Sequence, residues 1–416
     1  MAGETAHFGL RDWPPAPAIR AFELTPRQQK LVGMAQAGLA QPFNGISCTG
    51  SGAHGIFPAV ATDGALAPLL DAARTFLASL DAGQRHAACR AIDDEAWRQW
   101  SNFHPWLIPR TGICLADLGH GQREAALALL RETMSATGYQ TARDVMRLNE
   151  HALEITGKPE EYGEWYYWVS IFGTPSANEP WGWQIDGHHL NVNCFVLGDQ
   201  LVMTPILMGS EPVLARFGKY NGTRVFAAEE EQGYALMNAL SAEARQQATI
   251  GTELPWEVFA GAFNDNRHIE PGGISYADLP LEGRERLEDL LATYIGQLRP
   301  EHAGLRWAEV KHYLDDTQFA WIGPFDNTSA FYYRILSPAI LVEFDHQPGI
   351  VFDNNTPSRD HIHTLVRTPN GRDYGKDLLR QHYLQWHTGD HGTHSQSHAH
   401  GAHTEPAGHV PGEPLK

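Results

Sequence analysis

Strand-forming sequence is confined to two blocks of this chain, 164–205 and 330–368, and helical sequence precedes the first block and separates it from the second. A sheet drawn from both must be assembled from distant stretches, with helices laid against it. Short strand–loop–strand spacing within each block favours antiparallel pairing. The expected fold is therefore α+β: a mixed, mainly antiparallel sheet packed with helices.

The first block opens with Trp165-Tyr166-Tyr167-Trp168-Val169-Ser170-Ile171-Phe172, aromatic and β-branched, and ends at Gly173-Thr174-Pro175. It continues as PWGWQIDGHHLNVNCFVLGDQLVMTP, residues 180–205. Leu197-Gly198-Asp199-Gln200 separates two apolar runs and reads as a hairpin turn. His188 and His189 are then expected at the start of a strand, on opposite faces unless Gly187 supplies a bulge. The second block holds Ala330–Leu336, Ala339–Phe344 and Asp360–Arg367 as strands.

Helix starts are marked at Leu24-Thr25-Pro26, where a capping Thr precedes Pro at the first helical position. Related openings recur at Leu80-Asp81-Ala82, Leu118-Gly119-His120 and Leu240-Ser241-Ala242. Their irregular spacing indicates separate capped helices and not a solenoid. The organisation read from these signals is an N-terminal arm (1–23) and one catalytic-type domain (24–386), followed by a histidine-rich tail (387–416). Within the domain, a helical layer (24–155) and a helical insertion (225–315) flank the sheet segments. The tail carries seven of the 22 histidines and almost no apolar residues, so it is expected to be disordered.

A net charge of −18 without a basic stripe argues against nucleic acid and anionic membrane as partners and leaves a small-molecule substrate. Oligomeric state is left open. No stretch of about 18 apolar residues and no basic-then-apolar leader is found, so a cytoplasmic protein is expected. Cys48, Cys89, Cys114 and Cys194 lack Cys-x-x-Cys spacing and are read as reduced thiols. The glycine-rich Gly50–Gly55 loop follows no strand and lacks a Lys-Ser/Thr ending, so it is not read as a phosphate cradle.

His361-x-His363 is the most informative spacing, because strand residues two apart share a face and can reach one ion. Glu343 and Asp345 on the preceding strand are likewise two apart, with His346 on the opposite face. Glu343 interrupts an apolar run, where a buried carboxylate is costly unless paired with a cation or metal. His188, His189, His361 and His363 are thus the candidate metal ligands, and Glu343 is a ligand or base. The divalent ion could be zinc, iron, manganese or copper. Asp186 is a candidate general base, or a partner fixing an imidazole tautomer. Arg334 and Arg367 could clamp a substrate anion, although Arg367 could equally pair with Asp373 or Asp377. Trp183 is a candidate pocket wall, a type of residue more often found in the core. A His-x-His pair can also be merely a polar strand face.

The string FGTPSANEPWGWQIDGHHLNVN, the Phe319-Ala320-Trp321-Ile322-Gly323 element, and LVEF followed by HIHTLVRTPNGRDYG resemble the bacterial and fungal family catalogued as domain of unknown function 3500, DUF3500. The resemblance covers most of 24–386. It marks Trp183, Asp186, Gly187, His188 and His189 in one motif, and Glu343, His363, Arg367, Asp373, Tyr374 and Gly375 in the other. His361 lies outside the marked positions, so on the resemblance alone His188 or His189 completes the chelate. No activity is implied by the family.

Site chemistry points to a metal-dependent enzyme hydrolysing a small polar or anionic substrate with a metal-activated water. The same ligands around iron or copper would serve an oxidoreductase or oxygenase instead. A third possibility is non-catalytic metal storage by the tail.

Overall fold

Strands from both blocks enter one sheet, but strands outside the expected bounds join it as well, among them Ile206–Ser210 and Gln318–Ile322. The computed structural model describes residues 25–48, 57 and 66–387; the expected N-terminal arm, the Gly50–Gly55 loop and the tail beyond His387 lie outside the described residues. In chain order the strands are β1 (Cys89–Arg90), β2 (Ile113–Cys114), β3 (Tyr167–Gly173), β4 (Trp181–Gly187), β5 (Leu190–Leu197), β6 (Gln200–Val202), β7 (Ile206–Ser210), β8 (Thr249–Gly251), β9 (Ile274–Ser275), β10 (Gln318–Ile322), β11 (Tyr332–Leu336), β12 (Leu341–Pro348) and β13 (Pro357–Arg367). Their spatial order is β1-β3-β4-β5-β7-β13-β12-β11-β10-β8, with β2, β6 and β9 paired to β3, β5 and β10. Only β1–β3 and β8–β10 are parallel among the described pairs. The sheet is mixed and mainly antiparallel, as expected.

The helices are α1 (Pro26–Leu39), α2 (Ala67–Ser79), α3 (Ala82–Ala88), α4 (His120–Thr133), α5 (Ala136–Thr156), α6 (Ala227–Ala239), α7 (Ala242–Ala248), α8 (Leu281–Ile295), α9 (Pro300–His312) and α10 (Lys376–His387). All four marked openings start helices. Thr25 accepts from the Gln28 N–H while Gln28 reaches back to the Thr25 N–H, a reciprocal cap, and Asp81 does the same with Gln84. Ser241 caps α7 and separates it from α6.

Strand alternation divides the core. Val342 and Phe344 face a cluster shared with Phe76, Leu127, Leu130, Leu236 and Leu290 of the helices. Leu341, Leu207 and Leu365 face the other way, against Trp97, Trp100, Val258 and Tyr374. Each such fully buried side chain contributes about 1.5–3 kcal/mol. Among the described residues no helix is long and apolar enough to cross a membrane.

The element order of the first half returns in the second. Ile171 pairs with Trp183 and Trp183 with Cys194; Trp321 pairs with Tyr333 and Tyr333 with Phe344 in the same relation. β2 lies antiparallel to β3 as β9 does to β10, and the parallel partners β1 and β8 correspond. The two halves meet at the antiparallel β7–β13 pair in mid-sheet. Where the first half has His188-His189 between β4 and β5, the second has Pro338-Ala339 between β11 and β12.

Candidate metal centre

β13 lies between β12 and β7 and presents His361, His363 and Leu365 on one face. His363 stands opposite Asp345 on β12 and Gly209 on β7. A side chain at 209 would not fit: its Cβ would come 2.6 Å from His363 Cδ2 and 3.1 Å from His189 Cδ2. The Gly209 N–H donates to the His189 carbonyl at 2.7 Å.

The third histidine comes from a turn. Gly187 and Leu190 pair across β4 and β5, so His188 and His189 are the two residues of a hairpin turn and not the start of a strand. A strand would separate the rings onto opposite faces; here they stack with centroids 3.9 Å apart. His189 adopts φ 64°, a left-handed conformation that Gly or Asn usually fills. Backbone strain of this kind is held in place by surrounding structure and clusters at functional sites.

His189 Nε2 is 3.1 Å from His361 Nε2, which is 3.1 Å from His363 Nε2. The ring nitrogens on the far sides set the tautomers. His361 Nδ1 lies 2.8 Å from the Pro348 carbonyl oxygen and His363 Nδ1 2.8 Å from Glu257 Oε1. A carbonyl and a carboxylate only accept, so both Nδ1 atoms carry hydrogen. Asn102 agrees: its Oδ1 accepts from the His189 N–H at 3.1 Å, which turns its NH2 toward His363 Nε2, also at 3.1 Å. Three imidazole Nε2 atoms thus converge in a buried space, where they could hold a metal ion.

Burial, reinforced by His363, holds His361 down to about 3, and burial with its histidine neighbours keeps His189 well below the usual range. Burial also opposes protonation of His363, but Glu257, Asp345 and Glu211 together outweigh it and leave His363 raised. Glu257, Asp345 and His363 form a second group with ligand atoms within 4.8 Å of one another, as do the three histidines. Asp345 Oδ2 accepts from Gln347 at 2.9 Å, while its buried Oδ1 has no hydrogen-bond partner. Burial pushes this carboxyl up to about 8 against the pull of His363.

Of the residues chosen from sequence, His189, His361 and His363 meet. His188 stands beside them, its ring stacked on His189 and its Nδ1 3.2 Å from Asn149 Oδ1. Asp186 faces Arg110 at 2.8 Å and accepts from the Ser101 N–H; Arg110 also donates to the Ser101 and Phe103 carbonyls. That chain fixes the segment bearing Asn102. Burial pushes the Asp186 carboxyl up to about 7, with Arg110 opposing.

Glu343 needs neither cation nor metal: its oxygens accept from the Phe259 and Ala260 N–H groups and the Tyr332 hydroxyl, at 2.7, 2.8 and 2.8 Å. Arg367 is buried between Asp265 and Asp373, at 2.9 and 3.0 Å. Arg334 donates to the Glu270 carbonyl. Trp183 lies in the core.

Asn102, Glu257 and Gly209 were not legible as site residues. Gly209 reads locally as a loop breaker, and the other two reach the histidines from segments with no motif of their own. A cavity of ≈ 360 Å³ opens beside the centre, with Asn102 and Glu257 in its lining. A larger one, ≈ 430 Å³, is lined by α9 residues and β6, and neither cavity has His189, His361 or His363 in its lining.

No curated protein and no solved structure matches the chain. A family model described as "Protein of unknown function (DUF3500)" matches residues 63–376, and the chain belongs to that family.

Proposed function

We propose that this protein is a metal-dependent hydrolase whose ion is held by His189, His361 and His363. The observation carrying the reading is the convergence of three Nε2 atoms, with His361 Nε2 3.1 Å from each of the other two. Nitrogen ligands about 2.0–2.1 Å from a zinc-sized ion stand about 2.9–3.4 Å apart in tetrahedral to octahedral arrangements. Three protein ligands leave a position open, the pattern of catalytic sites. Once bound, the ion supplies a Lewis acid and a water acidic enough to be a nucleophile near neutral pH. The protein's own groups do the rest. Glu257 and the Pro348 carbonyl orient two of the imidazoles. The Asn102 NH2 is a donor for a substrate oxygen. Asp345, whose buried Oδ1 has no hydrogen-bond partner, is assigned the proton-transfer role that Asp186, engaged with Arg110, does not fill.

The test is metal content and ester hydrolysis of protein lacking residues 388–416 and purified without nickel resin. One equivalent of a single metal is expected, lost in His361→Ala and His363→Ala and kept in His188→Ala. Glu257→Gln should lower metal affinity about 10–100-fold. Absence of metal from the truncated protein overturns the centre. Metal without turnover of a panel of esters and amides overturns hydrolysis, and oxygen-dependent turnover would replace it.

A further inference from the structure

We infer that the cavity beside the histidines takes a substrate with an apolar, ring-sized body and a carboxylate at its outer end. This rests on the hydrolase reading for which end reacts, though not for binding itself. The cavity is ≈ 360 Å³, and its walls include Leu31 and Met34 of α1 with Phe103, Val258, Phe259 and Phe263. A small polar molecule would leave those walls wet, whereas an apolar ring buries them. Its amide and charged lining residues are few, Asn102, Glu257, Asn264 and Arg267, and of these Arg267 is the exposed one. Asn102 and Glu257, both hydrogen-bonded to His363, form the inner end.

Arg267 also lines the cavity, its guanidinium 5.4 Å from the Phe259 ring centroid. Among the described residues it is matched to no carboxylate. A substrate carboxylate therefore gains a charge-assisted partner at Arg267 and is repelled by Glu257 at the inner end. That polarity orients the molecule. The anion points outward, and the bond to be cleaved lies toward the histidines. The apolar walls replace the small polar body expected from sequence with an apolar one, and the anionic character is kept.

The probes are 4-phenylbutyrate and its neutral amide, 4-phenylbutanamide, titrated calorimetrically into the full chain with and without bound zinc. The acid should bind at least tenfold tighter than the amide. Arg267→Gln, at an exposed position, should erase that difference and leave amide binding unchanged. Ala262→Leu should weaken both at least tenfold by filling the cavity, with melting temperature read alongside to establish folding. Equal binding of acid and amide, or indifference of both to Ala262→Leu in a folded protein, overturns the inference. The probes require no metal, so the two readings fail separately. Probe binding without a metal equivalent sinks only the metal centre, and a metal equivalent without probe selectivity sinks only this inference.

Discussion

His189 Nε2 lies 3.1 Å from His361 Nε2 although 172 positions separate the two residues. The contact joins a turn of the first half to the central strand of the second. The corresponding turn of the second half carries Pro338 and Ala339, which offer no ligand. Among the described residues, two halves of similar element order therefore bring histidines together at one of these turns and not at the other.

Gly209 is what allows the rings to close on one another. An added Cβ would press on His363, on the Ile362 carbonyl and on His189. Backbone on one side limits relaxation, so the imidazoles must give way. Gly209→Ala should weaken zinc binding at least tenfold in a folded protein; a displacement of this size in supporting structure is enough to spoil a preorganised site. Zinc titration by calorimetry checks this, and wild-type affinity in Gly209→Ala would mean that the rings need not be so close.

Much of the architecture was legible because strand and helix signals are local. Thr25, Asp81 and Ser241 announced caps, and Gly198-Asp199 announced the β5–β6 turn. The spacing of His361 and His363 also fixed their shared face. The His188-His189 turn was hidden because no Gly, Asn or Asp occupies it, and the left-handed φ at His189 is imposed by tertiary contacts. Glu343 misled for a related reason. Its apolar surroundings did imply a compensating partner, but the partners are backbone N–H groups of a loop some eighty residues upstream, and backbone donors leave no trace in sequence.

Arg367 and Glu343 should separate stability from metal binding. Arg367→Met leaves Asp265 and Asp373 buried beside each other without their shared cation and should cost about 3–5 kcal/mol. Glu343→Gln swaps one acceptor oxygen for a donor facing N–H groups and should cost about 1–3 kcal/mol. Urea unfolding measures both. Metal stoichiometry in whatever folds should stay at the wild-type value, and a specific loss of metal in folded Glu343→Gln would return Glu343 to the ligand set.

Acid stability should depend on Glu230. Burial alone would raise its carboxyl, but hydrogen bonds from His346 and Arg359 more than reverse that and bring it to about 2. His346 Nε2 lies 3.0 Å from Glu230 Oε1, and burial keeps its ring below the usual imidazole range. An unfolded Glu takes its proton near 4.3, roughly. The network's stabilisation is therefore complete above that pH and fades as pH falls toward about 2. Allowing for solvent at Arg359, about 1–2 kcal/mol is at stake. Glu230→Gln should be less stable at pH 6 and lose less on acidification to pH 3. Parallel pH profiles for the two proteins would exclude the network as the cause.

His189→Gly should divide the two roles of the turn. At φ 64° a histidine side chain crowds its own backbone, and glycine adopts that conformation without cost. Removing the imidazole also removes the stack on His188 and one of the three converging nitrogens. The strain term is about 1 kcal/mol and opposes the lost stacking, about 0.5–1 kcal/mol. In metal-free protein, His189→Gly should therefore melt at or above the wild-type temperature. Zinc should raise the wild-type melting temperature and leave that of the variant unmoved. If the metal-free variant is instead strongly destabilised, His189 is held in its left-handed conformation by packing alone. The turn is then structural, and the centre must do without it.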